Sequence, residues 1–131
     1  MTRSTDRSTF LRRSLQLDGV ASGLCGLLLV LGAPMISALF GLSGSGISRV
    51  VGALLVVFAA ALLWSAGRPR VSRGEAILAV VLNAAWVIAS LILVVDGPLT
   101  PIGNAAVALV AAAVLGFAVL EVLGLRRLGV A

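Results

Sequence analysis

The sequence predicts an all-α membrane protein built as a four-transmembrane-helix bundle, and three observations carry that prediction. Of its 131 residues 60% are hydrophobic and only 11% are charged, with a mean hydropathy of +1.18, far from the roughly half-apolar, quarter-charged mix of soluble domains. Four apolar runs, each long enough to cross a hydrocarbon core of about 30 Å, are separated by short polar or small-residue turns. The basic residues, all arginine, cluster at one set of run ends rather than along a face, so the formal charge of +5 reads as topology information and attraction to anionic lipid headgroups, not as a nucleic-acid footprint.

Residues 1–9 are polar, carry Arg3, Asp6 and Arg7 and have nothing to bury, so they read as a flexible cytoplasmic tail. From Phe10 the chain turns apolar, and after Arg12, Arg13 and Asp18 no charge appears before Arg49. That stretch is too long for one span and too short for two, which predicts a long first helix over 10–40 with a kink at Gly32-Ala33-Pro34, where proline removes a backbone donor. An Arg-rich start also describes a signal peptide, but the apolar run exceeds the roughly 7–15 residues of a signal core. Gly41-Leu42-Ser43-Gly44-Ser45-Gly46 is a small-residue turn, and a second helix follows over 47–66. Its uncharged part, 50–67, is about 27 Å long at about 1.5 Å per residue, enough if the flanking arginines snorkel.

Arg68-Pro69-Arg70-Val71-Ser72-Arg73-Gly74-Glu75 is a polar hinge between two apolar hairpins. Pro69 stops the second helix, and Glu75 complements the positive start of a third over 75–95. Asp96-Gly97-Pro98-Leu99-Thr100-Pro101 is a turn, and a fourth helix over 102–125 closes the transmembrane domain at 127, with 128–131 a short C-terminal tail. Arg3, Arg7, Arg12, Arg13, Arg68, Arg70, Arg73, Arg126 and Arg127 then share one side, opposed only by Arg49. The positive-inside rule places both termini and the hinge in the cytoplasm, and Ala/Gly/Val/Arg-heavy usage suggests a bacterial inner (plasma) membrane.

A weak internal echo lays Leu17-Asp18-Gly19-Val20 over Leu82-Asn83-Ala84-Ala85 and would make the hairpins parallel repeats. It superposes Asp18 on Asn83, and a polar pocket near the inner leaflet formed by those two residues and roofed by Trp86 is the candidate site. The alternative for Asp18 is an interfacial acid paired with Arg13, Arg126 or a hinge arginine; the alternative for Asn83 is an interhelical hydrogen bond. Glu75, Asp96 and Glu121 read as helix-end acids. Gly19, Gly23 and Gly26 on the first helix, and Asn104, Ala108, Ala112 and Gly116 on the fourth, are spaced by three or four residues and predict packing faces.

The chain has no histidine and no tyrosine and a single cysteine, Cys25. No intrachain disulfide, nucleotide loop, metal cluster or nucleophile with a base is legible, so no cofactor is expected and an enzyme is not. The Leu-Asp-Gly-Val-Ala-Ser-Gly stretch of the first helix, the Arg-Pro-Arg hinge, Asn83-Ala84-Ala85-Trp86 and the terminal Gly-Leu-Arg-Arg resemble a family of small bacterial four-span integral membrane proteins of uncharacterised role, which implies the fold and no activity. Size and span number are also similar to the small multidrug resistance transporters, but the embedded glutamate those carry in the first helix is here only Asp18, and their aromatic-rich surroundings are missing. The reading is a non-enzymatic membrane protein with an accessory or structural role, or a small transporter or channel subunit acting as an oligomer. Its partners are the lipid bilayer and either further copies of itself or another membrane protein.

Overall fold

The computed structural model describes the backbone of residues 2–127 and the side chains of residues 9–127; the expected C-terminal tail, 128–131, and the side chains of Arg3 and Arg7 lie outside the described residues. Five helices follow in order: α1 (Thr2–Leu31), α2 (Ala33–Phe40), α3 (Gly46–Ala66), α4 (Arg73–Asp96) and α5 (Pro101–Arg127). Four of them, α1, α3, α4 and α5, are long and apolar enough to cross a membrane, the make-up of a multi-pass membrane protein.

The expected first helix is two helices, and it starts at Thr2 rather than at 10. Its break sits where proline predicts: Pro34 occupies the first turn of α2, the position where a missing N–H costs least. Around the break the ladder continues, with Gly32 N donating to Leu28 O (2.8 Å) and Ile36 N to Gly32 O (2.9 Å), so the two helices remain hydrogen-bonded across the interruption. α2 ends on Gly41 in the left-handed conformation (φ 78°), with Leu42 N donating to Ser37 O at 2.8 Å and Gly41 N to Ala38 O at 3.3 Å, the paired bonds that close a helix over a glycine.

Thr100 ties this outer end together. Its Oγ1 donates to Leu39 O (2.6 Å) and its N–H to Phe40 O (3.1 Å), while the same Oγ1 accepts from Gly103 N (3.1 Å) as the cap of α5. At the opposite, hinge end the Arg12 guanidinium of α1 donates to the carbonyls of Ala66, Arg68 (2.7 Å) and Pro69 (3.3 Å), covering acceptors that the end of α3 leaves open. Ser72 caps α4 by accepting from Glu75 N (3.3 Å), and the Glu75 carboxylate takes Ser65 Oγ at 2.6 Å and Arg68 Nη1 at 3.1 Å. The hinge is therefore a bonded knot between α1, α3 and α4.

Two close pairs make up the bundle, α1 with α3 and α4 with α5, joined mainly through α1 against α5. The first pair meets through glycine. A side-chain carbon on Gly19 would lie 2.9 Å from Leu63 Cγ, one on Gly23 3.3 Å from Ala59 Cβ, and one on Gly26 2.7 Å from Gly52 O, so the predicted face of the first helix lies against α3 with backbone nearly touching backbone. The predicted face of the fourth helix is a correction: Ala108, Ala112 and Gly116 are exposed, and nothing lies within 4 Å of a carbon added to Gly116. The buried face of α5 is Gly103, Ala111, Ala118, Glu121 and Gly124. A helix so rich in alanine and glycine carries several four-spaced rows of small residues, and spacing alone does not say which row meets a neighbour.

At the hinge end Leu11, Leu15, Leu62, Ala66, Ala76 and Ala79 form one apolar core linking α1, α3 and α4. Further along, α3 and α4 pack closely on α1 and α5 respectively but scarcely on each other. The seam between them opens into a cleft.

Candidate functional site

Three polar side chains from three helices meet inside the bundle. Asp18 of α1 and Glu121 of α5 are both 0% exposed, and Asn83 of α4 is 3% exposed. The Asn83 amide nitrogen donates one hydrogen to Asp18 Oδ2 at 2.7 Å and the other to Glu121 Oε1 at 2.9 Å. Sharing one nitrogen, the two carboxyls stand within a few ångströms of each other. Ser22, one turn beyond Asp18 on α1, donates its hydroxyl to Asp18 Oδ1 at 3.1 Å. The hydrogen bonds Asp18 accepts thus come from the neutral side chains of Asn83 and Ser22 rather than from Arg13, Arg126 or a hinge arginine, of which Arg68 is paired with Glu75 instead.

Local sequence explains how each member is presented. Gly19, beside Asp18, lets α3 approach so closely that the aspartate is sealed from the lipid side. Gly124, one turn after Glu121, does the same between α5 and α1: a carbon there would lie 2.9 Å from Leu11 Cα. Asn83 continues the buried row of Ala76 and Ala79 on α4, and Ala111, Ala118 and Glu121 share one face of α5. Each polar residue therefore occupies a position its helix's packing turns inward.

Glu121 is the member that sequence reasoning missed, since it was read as a helix-end acid. It lies inside the bundle because it shares the buried face of α5 with Ala111, Ala118 and Gly124, and the signal available was the apolar stretch Val122-Leu123-Gly124-Leu125 that separates it from Arg126. Trp86, one turn along α4 from Asn83, lines the same cleft as Asn83, and its indole Nε1 is buried with no hydrogen-bond partner among the described residues. Glu121 Oε2 is likewise buried and without a partner among them.

Against this cluster lies the cleft between α3 and α4. It has a volume of about 360 Å³ and is lined by Val51, Leu54, Leu55 and Phe58 of α3, Leu82, Asn83 and Trp86 of α4, Ser22 of α1 and Val114 of α5. A smaller recess of about 140 Å³ shares Ser22, Leu55, Trp86 and Val114 and reaches Cys25 and Phe117. The walls are apolar, and the polar groups gather where the cleft meets the carboxyl pair. Among the described residues no three of His, Cys, Asp or Glu gather to hold a metal ion.

No protein-family model matches the chain, and neither a curated protein nor a solved structure matches it; the likeness to small four-span bacterial proteins rests on its loose motifs.

Proposed function

We propose that this protein moves protons within a bacterial inner membrane, as a small transporter or channel subunit whose working part is the Asp18–Asn83–Glu121 cluster. The observation that carries the reading is the pair of fully buried carboxyls bridged by one amide. Ionisable side chains inside a membrane are costly and as a rule mark an ion or proton path. Two carboxylates this close, donated to by neutral groups only, repel each other in a medium of low dielectric; one proton between them relieves the repulsion, as in other paired-carboxyl sites. Uptake and loss of that proton changes the charge at the centre of the bundle, the event a proton path needs.

The arginine distribution supports an orientation with both termini and the hinge in the cytoplasm. On that reading Asp18 and Asn83 lie toward the inner leaflet, and Arg12, Arg68, Arg70, Arg73, Arg126 and Arg127 ring the cytoplasmic rim, where anionic headgroups are their natural partners. A chain of four spans encloses too little space for a wide pathway alone, so the active form is an oligomer or a complex with another membrane protein. An accessory, purely structural role is the competing view, in which the cluster only clasps three helices. Proteoliposomes carrying a trapped pH dye decide between them. An imposed pH gradient should collapse faster than in protein-free liposomes, and Asp18→Asn and Glu121→Gln proteins that remain folded should abolish the difference. Equal collapse with and without protein would leave only the clasp.

A further inference from the structure

Asp18 and Glu121 are both 0% exposed, so a proton reaches them only through a neighbour, and the packing narrows the choice. α1 lies against α3 along Gly19, Gly23 and Gly26, and against α5 where a carbon on Gly124 would stand 2.9 Å from Leu11 Cα. Toward the hinge the way is filled by Leu11, Leu15, Leu62, Ala66, Ala76 and Ala79. The seam left open is the cleft between α3 and α4. From Leu82, beside Asn83, it runs along Phe58, Leu55 and Leu54 to Val51 in the second turn of α3, and so leads away from the hinge toward the opposite end of the bundle. Neither carboxyl lines it; the members of the cluster that do are Ser22 and Asn83.

These two are not equivalent as proton carriers. Asn83 spends both amide hydrogens on the carboxyls, and passing one on would leave the amide as its unfavourable imidic acid tautomer. A hydroxyl both donates and accepts. Ser22 Oγ donates to Asp18 Oδ1 at 3.1 Å, inside the roughly 2.6–3.2 Å reach of proton transfer, and its lone pairs are left for a donor in the cleft. With the Asn83 carbonyl oxygen they give a water at the polar end of the cleft the two partners it needs. Ser22 also lines the recess of about 140 Å³ that meets the cleft at Leu55 and Trp86. We propose that the Ser22 hydroxyl is the relay through which the carboxyl pair exchanges its proton with water entering the cleft from the end opposite the hinge. In loading, a hydronium ion in the cleft gives a proton to the Ser22 oxygen while the Ser22 hydrogen passes to Asp18 Oδ1. One O–H bond forms and one breaks at the serine, which stays neutral; water is left in the cleft, and the hydroxyl turns back to the aspartate. Unloading runs the same steps in reverse. The inference rests on the proton-binding reading of the pair and adds its route.

Hydrogen–deuterium exchange of the carboxylic acid, followed by infrared spectroscopy of the full chain in lipid bilayers after a switch from H2O to D2O, tests the route. The acid C=O band of the pair is the one lost in the Asp18→Asn/Glu121→Gln double variant. Its shift on deuteration should be slower in Ser22→Ala than in the parent by about tenfold or more, and Ser22→Thr, which keeps the hydroxyl, should restore the parent rate. Leu54→Trp, which narrows the cleft from a position 65% exposed, should also slow the exchange, whereas Leu28→Trp, at a position 67% exposed and outside the cleft, should not. Exchange as fast in Ser22→Ala as in the parent, or in Leu54→Trp as in Leu28→Trp, would overturn the proposal. Slow exchange in Ser22→Thr as well would also overturn it, because packing rather than the hydroxyl would then set the rate. The two readings fail separately. A pair that titrates with pH but exchanges at one rate in parent and Ser22→Ala loses the relay and keeps the proton site, whereas a parent spectrum without the pair's acid band at any pH removes the proton site and the relay with it.

Discussion

The approach of α1 to α3 gives the sharpest quantitative test of the fold. A methyl group placed on Gly26 would stand 2.7 Å from Gly52 O, 2.9 Å from Val56 Cγ2 and 3.0 Å from Leu55 Cβ. The first of these atoms is backbone and cannot swing aside, so the helices must part. Separating packed surfaces by about 0.5–1 Å forfeits roughly a quarter to a half of each dispersion contact, and overpacking of this kind costs about 1–3 kcal/mol. Alanine regains about 1 kcal/mol through its helix propensity over glycine, leaving Gly26→Ala less stable by up to about 2 kcal/mol. Gly116→Ala is the matched control: the space there is open, only the propensity gain operates, and the variant should be as stable as the parent or up to about 1 kcal/mol more stable. Equilibrium unfolding in mixed micelles of increasing sodium dodecyl sulfate fraction measures both. Equal midpoints for Gly26→Ala and Gly116→Ala would mean that α1 and α3 are not in contact at this point.

Replacing Asn83 by leucine keeps the volume and removes both donors to the carboxyls, so the same unfolding assay should register a loss of about 1–3 kcal/mol, whereas a role for Asn83 only as filler predicts no loss. Thr100→Val removes the hydroxyl that joins α2 to α5 and caps α5; a cost of about 1 kcal/mol is expected, with hydrogen exchange at Gly103 N–H rising while that at Asn83 stays unchanged, and equal exchange at both sites in parent and variant would contradict the cap. Reporters active only in the periplasm or only in the cytoplasm, fused in turn to Ala131, should show the cytoplasmic one alone active; the reverse would overturn the orientation taken from the arginines.

How much of this was legible in the sequence follows the physics of each signal. Spans were easy to read because lipid demands long uninterrupted apolar helices, and the hinge and the outer turns stand out because Pro69, Gly41 and Pro98 punctuate them. The meeting of Asp18 with Asn83 was visible through the internal echo, which placed both at one depth on helices of the same direction. Glu121 escaped because, close to the arginines of the expected helix end, it reads as an end charge, whereas it shares the buried face of α5 with Ala111, Ala118 and Gly124. The Gly19, Gly23 and Gly26 row was found and the Gly103, Ala111 and Ala118 row was not. Glycines at close spacing stand out in a sequence, whereas alanines spaced by seven are hidden among the other alanines of α5. The start of α1 at Thr2 had no signal, since polar residues at a helix N-terminus and in a free tail look alike.

Proton binding by the buried carboxyl pair is the claim on which the functional account stands, and infrared difference spectroscopy of the protein in lipid measures it directly. Steps in pH should change the carboxylic acid C=O stretching region, and part of that change should disappear in the Asp18→Asn/Glu121→Gln double variant, with a smaller and altered change in each single variant because the two groups act as one site. Identical pH-dependent spectra in the parent and the double variant would contradict it, showing that Asp18 and Glu121 neither take up nor release a proton and that the cluster is a clasp between helices.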